Sequence, residues 1–288
     1  MTARRLAPGL LAALFLAVSG PADPARAAGG EAIGQAEDGT SSLDITFSLY
    51  VGGISFGTVA VSTIIDGDQY RAFSTIETEG IINRFWQSKI ETAANGLIAS
   101  RAIQPARYDS FTTRRAGQRR EVTISFDPDG PVGIHADPAY NDDDDLPVTA
   151  AEARRSLDPL SALVFLTTSY ETNKERPCGV VAPVYDGRRR YDVAFSFVRN
   201  TNVRMDNGIY SGPALECQIE YRHVTGDMQR IVEEGRMPRM SAWVAPVQSE
   251  VDPSRFYMLP LRLWADSDVG LVVAVASKVK LDGTEFGR

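Results

Sequence analysis

The sequence predicts an all-β protein: a curved antiparallel sheet, barrel-like or spiral, around one buried helix near residues 158–169. Three observations carry this. Short segments rich in Val, Ile, Thr, Phe and Tyr recur between turn-forming pairs. Two segments alternate apolar and polar residues with period two, as in an antiparallel sheet wet on one face. One stretch alone breaks that texture with a helix-start signal.

Taken in chain order, residues 1–27 come first. Arg4 and Arg5 precede an apolar run, Leu6 to Val18, broken only by Pro8 and Gly9, and Ala25-Arg26-Ala27 forms a small-x-small site. This reads as a secretory signal peptide, with Ala28 as the first mature residue. The two arginines match a twin-arginine signal only in part, so the export route stays open. Residues 28–42 are Gly, Ala, Ser and acidic and predict a flexible mature N-terminus. Residues 43–288 read as a single β-rich domain with ample length for a core.

Within that domain, turn pairs separate hairpin arms. Asp66-Gly67 joins Thr58–Ile65 to Gln69–Ile76, Asn95-Gly96 joins 86–93 to 97–103, and Ala116-Gly117 joins Arg107–Thr113 to Arg119–Phe126. Further pairs stand at Asp129-Gly130, Asp186-Gly187, Asn207-Gly208, Gly226-Asp227 and Asp282-Gly283. Near the domain start, Gly52, Gly53 and Gly57 suit a bulge or tight bend. No helix follows them and no lysine closes them, so they do not form a phosphate cradle. Tyr191, Val193, Phe195 and Phe197 share one face of their strand, as do Leu215, Cys217, Ile219, Tyr221 and His223.

The helix starts at Asp158, a natural N-cap, followed by Pro159 at the first helical position. Leu160, Leu163 and Val164 then share a side that faces a sheet. An exposed loop with Asp142 to Asp145 and Pro147 precedes it. From Met237 to Pro260, four prolines predict edge strands and short pieces.

Two of these motifs, with a closing stretch, resemble the proteobacterial domain-of-unknown-function family 3108. Tyr50-Val51-Gly52-Gly53-Ile54-Ser55-Phe56-Gly57 is similar to its opening strand, and Leu157-Asp158-Pro159-Leu160-Ser161-Ala162-Leu163 to its central motif. Trp264-Ala265-Asp266 and Val272 to Lys280 fit its last hairpin more loosely. The resemblance covers residues 43–282. It implies an exported, mostly β envelope protein and carries no catalytic assignment.

The net charge is −7, and loss of residues 1–27 leaves the mature chain more acidic still. Bulk attraction to nucleic acid or an anionic membrane surface is thereby excluded. No later segment reaches the roughly 18 apolar residues of a membrane helix, and no cysteine lies near the cleavage site to carry a lipid anchor. In an exported chain, Cys178 and Cys217 read as a structural disulfide. Metal or redox pairs favour a closer spacing.

Catalytic groups are sparse. The histidines are His135 and His223, and no G-x-S-x-G elbow is present. Asp127-Pro128-Asp129-Gly130 reads as a turn, without the twelve-residue loop of a calcium site. Glu77 with Glu79, and Glu216 with Glu220, read as outward, solvated pairs. Glycoside hydrolysis needs two carboxylates that meet only in three dimensions, and sequence leaves that open. Arg114-Arg115, Arg119-Arg120 and Arg188-Arg189-Arg190 lie beside turns. Their ordinary reading is solvated edge protection; the alternative is an anionic partner such as a lipid head group or a polyanionic glycan. Arg84-Phe85-Trp86 and Arg255-Phe256-Tyr257 suit core and rim packing, with a pocket wall as the alternative.

These readings predict a non-catalytic, exported, periplasmic protein. It would be a scaffold or a carrier of an apolar or amphipathic, lipid-like ligand, with no cofactor or metal. Candidate ligand-binding residues are Arg84, Trp86, Tyr221 and His223. A lipid or an envelope protein is the expected partner. The alternative is a carboxylate-dependent hydrolase of envelope glycan or peptidoglycan.

Overall fold

The structure is a computed structural model that describes residues 40–80, 83, 87–99, 102–139, 148–169, 177–226, 239–267 and 270–287. Residues 1–39, which include the expected signal peptide, lie outside the described residues, as do Arg84, Trp86, the Asp142–Asp145 run and Pro238.

The strands are β1 (Ser41–Val51), β2 (Ile54–Asp66), β3 (Gln69–Thr78), β4 (Ser88–Ala99), β5 (Ala102–Arg114), β6 (Arg119–Asp127) and β7 (Gly130–Asp137). Helices α1 (Ala150–Ala153) and α2 (Pro159–Thr168) follow. The second strand run is β8 (Val180–Tyr185), β9 (Arg189–Arg204), β10 (Ser211–Gly226), β11 (Met240–Gln248), β12 (Phe256–Ala265), β13 (Val272–Leu281) and β14 (Thr284–Glu285). They form a 14-stranded sheet in the order β7-β6-β5-β4-β3-β2-β1-β13-β12-β11-β10-β9-β8, with β14 on β13. Every strand pairing is antiparallel. The curved antiparallel sheet with one buried helix is thus what the chain forms.

The strand order amounts to two runs of neighbouring hairpins joined through β1·β13. The end strands β7 and β8 do not pair with each other. The α1–α2 linker joins these ends instead. Arg155 N donates to Asp129 O (2.9 Å) in the β6–β7 turn. Leu157 N donates to Pro183 O and Leu157 O accepts from Tyr185 N, both at 2.8 Å, on the free side of β8. Leu157 thereby makes a parallel bridge with Val184. Gly130 has φ +136°, and a Cβ there would lie 2.9 Å from Arg155 N, so glycine allows this close approach.

β12 shows why the interior has two compartments. It pairs with β13 only from Arg262 to Ala265. Its first half leaves β13, and Tyr257, Leu259 and Leu261 become fully buried in the main core. Met258 and Pro260 on the opposite side face a cavity. At the rim of the core, Asp282 fastens three segments. Its carboxylate accepts from Ser41 Oγ (2.9 Å), Ser42 N (2.9 Å), Ser249 Oγ (2.6 Å) and Glu250 N (2.9 Å). These hydrogen bonds hold its pKa below the usual carboxylate range against the opposing effect of burial.

Two expected turns or breaks are corrected. Asn95-Gly96 makes no hairpin: β4 runs through it, and the reversal comes where Ala99 pairs with Ala102. The pair sits at a bulge, and a Cβ on Gly96 would strike the Gln104 carbonyl oxygen and the Tyr70 ring. The second correction concerns the proline-rich stretch, which builds the interior strands β11 and β12. Pro246 lies beyond Val244, where pairing with β10 stops, and Pro260 lies before Arg262, where pairing with β13 begins. Each proline therefore occupies a stretch paired on one side only, where a missing N–H is tolerated. The glycines of Tyr50–Gly57 serve two features. Gly52 and Gly53, with φ of +54° and +83°, turn β1 into β2, and Gly57 adjoins a bulge.

Cys178 and Cys217 are joined by a disulfide across 39 residues, binding the approach to β8 to β10. Loop closure of this length is worth about 4 kcal/mol in the chain-entropy model. Reductant is expected to lower the melting temperature of the purified protein, and an unchanged melt would remove that contribution. Gly130→Ala is expected to cost about 1–3 kcal/mol in denaturant unfolding. Gly67→Ala, also at positive φ but with open space around its Cβ, should cost less. Equal losses would show that the linker contact adds nothing.

Candidate functional site

The candidate site begins with α2. Asp158 caps it, accepting from Leu160 N (3.0 Å) and Ser161 N (2.8 Å). Ser161 Oγ donates to Asp158 Oδ2, and Tyr70 OH lies 2.6 Å from Ser161 Oγ. All three side chains are buried. The Asp-Pro start and the polar triad therefore pin the helix inside the sheet, against β3. The helix also packs on β4, β5, β8 and β12. Burial pushes the Asp158 carboxyl up to about 6, against the opposing hydrogen bonds.

The helix fills only part of the interior. A cavity of about 330 Å³ lies between α2 and the inner faces of the two strand runs. The helix contributes Leu160, Leu163 and Leu166, and facing them are Phe47, Val61, Phe195, Met240 and Met258. Strand register orders the wall of the first run into rungs. One rung is Ala72, Ala94, Tyr108 and Ile124, and the next is Ser74, Thr92, Ser110 and Val122. The third is Ile76, Ile90, Thr112 and Arg120. Four residues along the strands separate the Tyr108 rung from the Arg120 rung, about 13 Å.

The Tyr108 end is the end closed by the α1–α2 linker. Here Tyr191 stacks on Tyr221 with ring centroids 4.5 Å apart. Beside them Arg189 donates through Nε to Asp186 Oδ2 (2.9 Å), and its Nη2 lies 2.9 Å from the same oxygen. Asp186 also accepts from Arg188 N (3.0 Å) and Arg189 N (2.8 Å). Both side chains are nearly sealed from solvent, at 7% and 8% exposed. Burial works against the Arg189 charge, but Asp186 and the two tyrosines outweigh it and raise the guanidinium pKa. Burial also raises the Tyr191 and Tyr221 phenols. At the other end, Arg120 lines the cavity and Arg114 is half-buried.

The sequence-derived candidates fare differently. Tyr221 lines the cavity. His223 shares its strand face but sits past the cavity, half-buried, with Nε2 3.2 Å from Gly226 O. Arg84 and Trp86 lie outside the described residues. His135 is exposed on β7. Asp127 Oδ1 accepts from Asp129 N and Gly130 N, as a turn requires. Glu77 pairs with Lys89, and Glu79 accepts from Thr58. Glu216 pairs with Arg199, and Glu220 with Arg222. Two of the turn-side arginines need correction, whereas Arg115 and Arg119 are exposed as expected. Arg189 is buried in an ion pair and Arg120 is a wall residue, so neither is solvated edge protection. Strand parity could have found them: Tyr108, Ser110, Thr112 and Arg114 share one face of β5, as Arg120 and Val122 do on β6.

The motif that caps α2, Leu157 to Leu163, now has a structural role. The sequence model described as "Protein of unknown function (DUF3108)" matches residues 46–277. The chain belongs to that family. The matched span runs from within β1 to within β13, so it contains the whole cavity wall. No curated protein matches the chain. Among solved structures, this DUF3108 chain is similar to a beta-barrel-like protein of domain of unknown function DUF1849 from Brucella abortus. That match has a TM-score of 0.49 and 10% identity and covers 84% of this chain and 97% of the other. No helix among the described residues is long and apolar enough to cross a membrane.

The raised Asp158 pKa makes a signed prediction. The folded protein holds this proton up to about pH 6, whereas an ordinary carboxyl loses it near 3.8. The folded state therefore binds more protons between these values, and stability from this group falls as pH rises through that window, then levels off. The magnitude is about 3 kcal/mol. Asp158→Asn keeps a capping side chain and removes the titration. The wild-type minus variant stability, by denaturant unfolding, is expected to decline from pH 4 to pH 6. A flat difference would show that Asp158 is charged throughout.

Proposed function

We propose that this protein is a non-catalytic carrier or scaffold in the cell envelope, acting in the periplasm, that holds an apolar or amphipathic molecule between the two halves of its sheet. The observation that carries this reading is the cavity. Its volume of about 330 Å³ lies at the lower end of the usual range for small-molecule sites, about 300–1,000 Å³. Its wall is mainly Leu, Ile, Val, Met and Phe, with charged groups at its ends and a few hydroxyls, among them Ser74, Thr92 and Ser110, between them. Such a site suits one lipid-like molecule. The signal-peptide sequence and the disulfide support a role outside the cytoplasm.

The hydrolase alternative gains no support at this site. Among the described residues that line the cavity, Asp186 is the one carboxylate, and it is bound to Arg189. A glycosidase pair needs a second carboxylate about 5–9.5 Å away.

Gentle purification from the native envelope without detergent, followed by native mass spectrometry, tests the carrier reading. A co-purifying amphiphile at about one per chain is expected, on a polypeptide that begins at Ala28. A ligand-free species that also takes up no added amphiphile would overturn the reading.

A further inference from the structure

The two ends of the cavity differ in electrostatics. At the closed end the Arg189 charge is met by Asp186 and ringed by tyrosines. The other end carries guanidiniums on neighbouring strands. Arg120 on β6 is opposite Thr112 on β5, and Arg114 is two residues further along β5. Such diagonal positions have Cβ atoms about 7–8 Å apart, so two long arginine arms can meet on one anion. Their outward neighbours Arg115 and Arg119 are exposed, whereas Arg114 and Arg120 are half-buried. The alternation of the hairpin therefore sorts four arginines into an inner pair and an outer pair.

Three further features bear on what the inner pair would hold. Arg114 Nε is shielded from solvent and has no hydrogen-bond partner among the described residues. Burial lowers the pKa of its guanidinium, as expected for a cation moved out of water. Thr112 lies on the Arg120 rung and Ser110 on the adjoining one, and both line the cavity as additional hydroxyl donors. Beyond Ser110, Tyr108 lines the cavity, and Leu163 and Met258 contribute to its wall.

We propose that the molecule held in this cavity is an anionic amphiphile, with its head group between Arg114 and Arg120 and its apolar tail directed toward Tyr108. The proposal rests on the carrier reading and adds its ligand class. Arg114 is drawn partly out of water while its Nε lacks a hydrogen-bond partner among the described residues, and an anion would supply one. Guanidinium also suits carboxylate and phosphate oxygens through paired N–H donors. The position beside the β5–β6 turn leaves the head near water while the tail lies in the apolar interior.

Isothermal titration of the mature chain with ligands sharing a decyl tail tests this, below their micelle concentrations. Decanoate and decyl phosphate are expected to bind at least about tenfold tighter than decanol, and decyltrimethylammonium weakest. The ratio of the two anions distinguishes a carboxylate from a phosphate head. Added salt should weaken the anions and leave decanol unchanged. Arg114→Gln and Arg120→Gln should each reduce anion affinity by about tenfold while decanol binding, which reports an intact cavity, is retained. Arg115→Gln and Arg119→Gln should alter neither. Decanol binding as tight as the anions, or anion binding indifferent to both inner variants, would overturn the inference and leave the carrier reading standing. Failure of all four ligands would overturn both. Inorganic phosphate binding as tightly as decyl phosphate would also overturn it, by showing a plain anion site.

Discussion

A curved sheet whose first and last strands are not partners cannot enclose an interior by ladder hydrogen bonds alone. In this protein the connection depends on the five residues between α1 and α2. Arg155 bonds to the β6–β7 turn and Leu157 to the free side of β8, so one short segment touches both ends of the strand order. The next residue, Asp158, starts the helix that occupies the space so enclosed. The linker, the cap and the buried helix are therefore one continuous device. Loosening it would expose the cavity and leave the polar groups of Asp158 and Ser161 without their setting.

The same device explains why the interior is unevenly filled. α2 is 10 residues long and packs near the closed end through the Ser161–Tyr70 contact. The sheet around it extends well past three helical turns. The remaining space is lined mainly by apolar side chains from both strand runs, with a few hydroxyls among them and charge confined to its two ends. Burying the Asp186–Arg189 pair is tolerable because Asp186 also accepts two backbone N–H bonds. The arginines beside the β5–β6 turn lie at the opposite end. A cavity with the Asp186–Arg189 pair at one end and Arg120, beside Arg114, at the other differs in its charged groups along its length. A ligand with one charged end suits that asymmetry.

Much of the fold was legible from short-range patterns. Asp66-Gly67, Asp129-Gly130 and Asp282-Gly283 turn hairpins as their sequences suggest, and Asp158-Pro159 starts the helix. Asn95-Gly96 misled because the same pair suits a bulge in a long strand, where Gly96 admits the Gln104 carbonyl. The prolines misled because their cost depends on whether both sides of a strand are paired, which is a property of the neighbours. Tyr221 was placed correctly by alternation. Arg114 and Arg120 are legible by the same rule, but arginines beside turns are usually solvated, and alternation alone does not say that their face meets a cavity.

Sequence alone determined the β texture, the hairpin arms, the capped helix and the pair of cysteines that join. These follow from backbone preferences and periodicities that act within a few residues, or from the only partner available. Tertiary structure decided that β12 would part from β13, that the linker would bridge β7 and β8, and that a cavity would remain beside α2. Those outcomes depend on how twist and splay accumulate over many strands, so no local segment encodes them. They also separated the inner arginines from their exposed neighbours: each residue's strand face follows from alternation, but which face meets a cavity depends on the whole sheet.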